Sequence, residues 1–372
     1  MTIFLTFNDA PSGIYSSQVI DVVAFLRQSA RIQVRLISFI SLRGFFRNRG
    51  AIKEQMPDAI VLPMYPRLKN WVKNQWLLKF ICFLLSVDKI IARSVLATNL
   101  ALTVKRKNVK VIYDGRGAIE AEWREYKVVT DPSLLKNIHA LEARAVIETA
   151  AQVAVSNKLK EFWLSEYAYK SLNTVVIPCT INAAFEKLNF TEQSVNAARK
   201  NLGYSGSDLV FIYSGSVSGW QSFTLLEQFA IPLLSKDANV KFLFLSGLDK
   251  NIKSIQDRFP NQVMVRKCAP LEVAAQLLAG DYGLLIREES ITNKVASPVK
   301  FGEYLACGLQ VIVSEHTGDY SEFVRQNGCG HLLNQSQKLD IPNWEQKLRN
   351  RNLALKYFTK TEFLGSYKLL LS

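Results

Sequence analysis

The sequence lacks paired cysteines, a metal-ligand pattern and a long apolar run, and each lack removes a class of protein. Its five cysteines (Cys82, Cys179, Cys268, Cys307, Cys329) are odd in number and scattered, with no Cys-x-x-Cys. A disulfide framework is therefore not expected, and reduced thiols in a cytoplasmic protein are. The three histidines, His139, His316 and His331, have no ligand spacing with one another or with cysteine, so no metal is expected. The longest apolar run, residues 76–85, is interrupted by Lys79 and falls well short of the roughly 20 residues that span a bilayer. Residues 1–7 are apolar, but no basic stretch precedes them and Asn8-Asp9 follows. They read as a first strand, not as a signal peptide. A soluble or membrane-peripheral protein is expected.

Acid is also scarce, and unevenly so. The net charge is +14, and residues 31–110 hold 16 Lys and Arg against three acids (Glu54, Asp58, Asp88), a net of +13. The basic residues there alternate with bulky apolar ones, as in Arg43-Gly44-Phe45-Phe46-Arg47 and Trp76-Leu77-Leu78-Lys79-Phe80. Cations beside aromatics suit an anionic membrane surface. A nucleic-acid patch and a merely solubilising basic face are the competing readings, and no nucleic-acid motif accompanies the charge.

At 372 residues the length points to two domains. Strands are expected at 3–7, 32–39, 59–62, 89–92, 110–113, 152–155 and 174–177, with helices between them at 18–29, 71–85 and 132–149. The alternation breaks at Pro178-Cys179-Thr180-Ile181-Asn182 and resumes with strands at 209–213, 240–245, 262–265, 282–286, 311–313 and 330–332. Apolar strands alternating with helices imply parallel sheets with right-handed crossovers. The expected fold class is α/β, two Rossmann-like doubly wound domains facing a cleft. The expected divisions are 1–180, 181–345, and C-terminal helices over 346–372 that pack back on the N-terminal domain.

The chemistry concentrates in residues 281–308. The strand at 282–286 ends on Arg287. Ser297 suits an N-cap, Pro298 a first helical position, and Gly308 the residue just past the helix end. Free N–H groups at such a helix start attract phosphate. Lys300 in the first turn weakens the helix unless an anion is bound, and Glu303 follows three residues on, able to accept from ribose hydroxyls. The plain alternative is an ordinary Lys300–Glu303 surface pair.

The string Ser297-Pro298-Val299-Lys300-Phe301-Gly302-Glu303 resembles the nucleotide-binding segment of GT-B glycosyltransferases, especially retaining family-four-like enzymes of bacterial surface-polysaccharide synthesis. Tyr213-Ser214-Gly215-Ser216 resembles their glycine turn against the donor diphosphate. Arg266, followed by Pro270-Leu271-Glu272-Val273, resembles the segment bordering the base, and Ser12-Gly13-Ile14-Tyr15 the glycine loop after strand one. The resemblance implies nucleotide-sugar binding by Gly13, Gly215, Ser216, Arg266, Ser297, Pro298, Lys300 and Glu303. Asp114, Arg116, Lys300 and Arg287 would have catalytic roles. It implies no metal and no cofactor beyond a UDP- or GDP-type sugar substrate. A glycan or polyprenyl-diphosphate-linked acceptor and a location on the inner face of the cell membrane follow. A sugar-nucleotide epimerase of the same fold and a non-catalytic membrane- or nucleic-acid-binding protein are the alternatives. Two departures stand out: Val295 replaces the first Glu of the family's Glu-x7-Glu, and Val217-Ser218-Gly219-Trp220-Gln221 replaces its Arg and Lys. Asp114-Gly115 reads equally as a functional carboxylate or as an Asx-capped turn, and His139 as structural.

Overall fold

The computed structural model describes all residues except 107, 171–172, 217–221, 271 and 335–337. Among the described residues, thirteen strands form two all-parallel sheets. The first contains β1 (Thr2–Phe7), β2 (Val34–Ile40), β3 (Ile60–Pro63), β4 (Lys89–Arg93), β5 (Lys110–Gly115), β6 (Ala151–Ala154) and β7 (Thr174–Val176), in the order 3-2-1-4-5-6-7. The second contains β8 (Leu209–Ser214), β9 (Val240–Leu245), β10 (Val263–Arg266), β11 (Tyr282–Leu285), β12 (Gln310–Val313) and β13 (Gly330–Leu332), in the order 10-9-8-11-12-13. Every strand expected from the sequence is present, with ends shifted by at most two residues. Both orders are doubly wound, and each reverses direction beside its first strand: between β1 and β4, and between β8 and β11. In such sheets that reversal leaves a crevice at the carboxyl ends of the strands, where ligands bind.

The chain divides into two compact units. Unit 1 comprises Met1–Thr180, Val295–Ser297 and Lys360–Ser372, and unit 2 comprises Ile181–Lys294 and Pro298–Thr359. The segment 346–372 therefore splits. The helix Trp344–Tyr357 belongs to unit 2, and the helix Leu364–Leu371 to unit 1. The split follows from what each helix buries. Tyr367, Leu370 and Leu371 join Phe4, Phe25 and Leu36 in one apolar cluster of unit 1. In unit 2, Ala354 and Phe358 join Phe301, Tyr304 and Leu305. A buried ion cluster adds to the second. Asp281, fully buried, takes Arg199 Nη1 and Lys347 Nζ at 3.0 Å each and the Val210 N–H at 2.9 Å, which ties two helices to the base of β8 and β11.

Candidate functional site

In unit 2 the reversal of strand order places Ser214-Gly215-Ser216 at the end of β8 and Arg287 just beyond β11. Tyr304, on the helix Val299–Ala306, stands at the centre. Its hydroxyl accepts from Ser214 N–H at 2.9 Å and donates to the Leu284 carbonyl at 3.3 Å. The phenol can reach β11 because residue 283 is glycine, where a Cβ would lie 2.2 Å from the Tyr304 ring. The Tyr213 hydroxyl donates to the Ser216 carbonyl at 2.5 Å and shapes the turn. Burial pushes both phenols up, while the nearby Arg287 works in the opposite direction on each and Glu303 adds to the rise at Tyr304. Arg287, Glu303 and the β8 turn are thus neighbours around one tyrosine.

Arg287 is almost fully buried. Its backbone N–H donates to Ser314 Oγ at 2.8 Å, and its guanidinium donates to Asn293 Oδ1 at 3.1 Å. Asn293 is held in turn, donating to the Glu288 carbonyl at 3.0 Å and accepting from Gly318 N–H. An arginine held at its backbone by Ser314 and at its guanidinium by Asn293 is preorganised for an anion. Lys300 pairs with Glu303 at 2.6 Å, the i,i+3 ion pair that the sequence left as its plainer alternative. On the other flank, burial raises the Cys268 thiol, Glu272 adds to it, and Lys300 and Arg266 oppose it, which places these two cations around one cysteine.

The start of the helix differs from expectation. The cap position is Pro298, which makes no side-chain cap bond, and the helix runs Val299–Ala306. Ser297 belongs to unit 1, where its hydroxyl accepts from Cys179 N–H at 2.9 Å. Gly308 does fall just past the helix end, with φ +77. Val295 is a core residue of unit 1, 3% exposed, and its carbonyl accepts from Ser156 Oγ at 2.7 Å. Val295 thus packs in the unit 1 core, at the position where the Glu-x7-Glu pattern has its first carboxylate. Residues 217–221 and Leu271 lie outside the described residues.

In unit 1, Asp114 ends β5 and is 2% exposed. Asp114-Gly115 is strand, not a capped turn. Gly115 is needed because a Cβ there would come within 2.5 Å of the Trp163 ring. Asp114 pairs with Arg116 at 2.8 Å and faces Arg93 at 3.6 Å, and Arg93 faces Asp9 at 3.6 Å. Burial acts to lower Arg116, but the charge and hydrogen bond of Asp114, together with Cys179 and Tyr367, outweigh it and hold the guanidinium charged. Gly13 begins a short turn whose Ser12 hydroxyl accepts from Tyr15 N–H at 3.1 Å, and open space surrounds its Cα. His139 is on the helix Pro132–Ile147, with Nδ1 2.7 Å from Glu120 Oε2. Asp9, Arg93, Tyr213 and Tyr304 were not among the expected site residues. Asp9 and Arg93 carry the signal that singled out Arg287, a charge at the carboxyl end of an apolar strand.

No family model and no curated protein matches the sequence. The fold does match solved structures. The chain is similar to a glycosyltransferase from Rickettsia africae, at 16% identity and TM-score 0.70, covering all of this chain and 98% of that one. It is similar to TarM of S. aureus in complex with Fondaparinux, α-GlcNAc-glycerol and UDP, at 10% identity and TM-score 0.69, covering both chains completely. UDP-GlcNAc 2-epimerase from Neisseria meningitidis bound to UDP-GlcNAc follows at 15% identity and TM-score 0.56, covering all of this chain and 94% of that one. With two Rossmann-like units matched over the full length, the fold is GT-B.

Proposed function

We propose that the protein is a glycosyltransferase that moves a sugar from a nucleoside-diphosphate sugar of UDP or GDP type to a glycan or lipid-linked glycan. The reaction would be retaining and metal-independent and would serve cell-surface polysaccharide synthesis. The observation that carries the reading is the unit 2 crevice. There the end of β8, the buried Arg287 and Glu303 surround Tyr304, Lys300 pairs with Glu303, and Arg266 lies with Lys300 near Cys268. A diphosphate leaving group needs cations and N–H groups already in place as its charge develops, and Arg287, Lys300, Ser216, Gly215 and the helix start at Pro298 supply them. On binding, Lys300 would exchange its contact with Glu303 for phosphate, which leaves the Glu303 carboxylate to accept from ribose hydroxyls. Asp114 and Arg116, with their proposed catalytic roles, and Gly13 and Ser297, proposed to bind the nucleotide sugar, lie in unit 1.

A thermal-unfolding series with UDP, GDP, CMP and ADP tests the donor site. A nucleotide at about 100 times its dissociation constant should stabilise the protein by roughly 2.7 kcal/mol. Lys300→Ala should lose most of that gain while folding normally. If none of the four nucleotides stabilises the wild type, the reading fails. The epimerase resemblance supports a second reading at the same crevice. Release of free nucleotide and sugar without any acceptor would favour it, whereas acceptor-dependent consumption favours transfer.

We further propose that unit 1 docks on an anionic membrane surface. No helix among the described residues is long and apolar enough to cross a membrane. The helix Gln75–Leu84 buries Leu78 and Ile81, yet it also exposes Trp76, Phe80, Phe83 and Leu84, spaced i, i+4, i+7 and i+8 along one face. Phe46 is 86% exposed between Arg43 and Arg47. An outward aromatic stripe among basic residues matches the headgroup region of an anionic bilayer.

A further inference from the structure

The reversal of strand order in unit 1, between β1 and β4, opens a cavity of about 320 Å³. Asp9 lines it from the end of β1, Arg93 from the end of β4, Arg116 from just beyond β5, and Glu122 and Trp123 from the helix Ile119–Glu125. Ser94, Val95 and Leu96 bring the first turn of the eleven-residue helix Ser94–Val104 to the same wall. Arg93 and Arg116 are nine-tenths buried, whereas Asp9 keeps 37% of its side chain accessible. Their hydrogen bonding is incomplete: Asp114 is taken by Arg116 Nη2 at 2.8 Å, but Arg93 Nη1, Arg116 Nε and Nη1 and Asp9 Oδ2 have no hydrogen-bond partner among the described residues. Ion pairs at 3.6 Å offset part of the cost of burying these charges but do not saturate them.

The missing partners are of both kinds. The guanidinium nitrogens of Arg93 and Arg116 need acceptors, and the Asp9 carboxylate needs a donor. A phosphate brings negative charge and mostly acceptor oxygens, and it would meet the carboxylates of Asp9 and Asp114, with Glu122 also on the lining, beside only two arginines. A hydroxyl both donates and accepts. Vicinal hydroxyls on a ring can accept from a guanidinium and donate to a carboxylate at once, and Trp123 offers an apolar surface for a ring face. A volume near the low end of ligand pockets, which run from roughly 300 to 1,000 Å³, suits one sugar ring.

We propose that this cavity receives one neutral pyranose ring of the acceptor, whose hydroxyls accept from Arg93 and Arg116 and donate to Asp9. The proposal rests on the glycosyltransferase reading for the word acceptor, but its chemistry is that of a sugar-hydroxyl site in unit 1 alone.

The test uses the full-length protein and saturation-transfer NMR with methyl glycosides of glucose, galactose, mannose, rhamnose and N-acetylglucosamine, each at millimolar concentration. Inorganic phosphate serves as competitor. The expected result is saturation transfer to at least one glycoside that phosphate does not displace. Asp9→Asn and Arg93→Gln should weaken it by roughly tenfold or more, with circular dichroism and nucleotide-induced stabilisation unchanged. The proposal is overturned if the wild type contacts none of the five, if both variants bind as well as wild type, or if phosphate displaces the sugar. The wild-type measurements stand even if a variant misfolds. Nucleotide stabilisation without glycoside binding would leave the donor reading intact and remove this site. Glycoside binding without any nucleotide effect would do the reverse.

Discussion

Glu142 is a carboxylate used as a helix cap inside unit 1. Fully buried, it accepts from Ile119 N–H at 3.0 Å and Glu120 N–H at 2.8 Å, and so satisfies two of the open donors at the start of Ile119–Glu125. Burial pushes its pKa from an ordinary 4.5 to about 7, more than the two backbone bonds pull it down. A carboxyl raised in the folded state keeps a proton that the unfolded chain has released. Its contribution to stability is therefore largest below the unfolded value and falls as pH rises towards the folded one. The loss should approach about 3 kcal/mol across that window. Urea unfolding at about pH 5 and about pH 8 checks this. The wild type should lose that much stability relative to Glu142→Gln between the two pH values, beyond any constant offset, and a pH-independent difference would contradict it. No sequence pattern marked Glu142, because its role depends on a helix 17 or more residues upstream. Arg287, by contrast, was legible as a charge ending an apolar strand. Asp9 and Arg93 end apolar strands in the same way, but no neighbouring motif marks them in the sequence.

Between elements, the decisive device in unit 2 is the close approach of the helix Val299–Ala306 to β11. Gly283 makes room for the Tyr304 ring, and Tyr304 then holds the β8 turn through Ser214. Adding one methyl at 283 forces the ring outward. Gly283→Ala should cost about 1–3 kcal/mol in chemical denaturation and weaken nucleotide binding through the displaced turn. Gly13→Ala, where nothing lies within 4 Å, is the contrasting control for stability. If Gly283→Ala is as stable as wild type, the packing account is wrong. The strands themselves were readable because those buried on both faces are continuous apolar runs. The helix start was not readable to the residue. Ser297 has good N-cap chemistry, but its hydroxyl is taken by Cys179 N–H, a partner 118 positions away that local spacing cannot reveal. The C-terminal helices were legible as helices, but which unit each joins is decided by distant apolar partners such as Phe25 for Tyr367, 6.1 Å apart.

At the scale of the whole molecule, charge and apolar exposure coincide. Nearly all of the +14 resides in residues 31–110, the segment that also carries Phe46, Trp76, Phe80 and Phe83. Sedimentation with vesicles should therefore show binding to anionic and not to neutral lipid. Raising the salt should weaken it as the screening length falls below about 10 Å. A Trp76→Ser, Phe80→Ser double variant should bind less at every salt concentration, because it removes the apolar part and leaves the charge. Equal binding to neutral vesicles, or none to anionic ones, would count against membrane docking.

Residues 360–372 complete the apolar cluster of unit 1 and reach across to Lys89 and Lys110, whose ammonium groups donate to carbonyls at 371 and 372. Order of synthesis then matters. All seven strands of the first sheet leave the ribosome before its last covering helix exists, and the 179 residues from Ile181 to Thr359 are made in between. At 5–20 residues per second that interval is about 10–40 s. For that time Phe25 and Leu36 are without Tyr367 and Leu370, and the first sheet must hold its fold with part of one face of its core still uncovered.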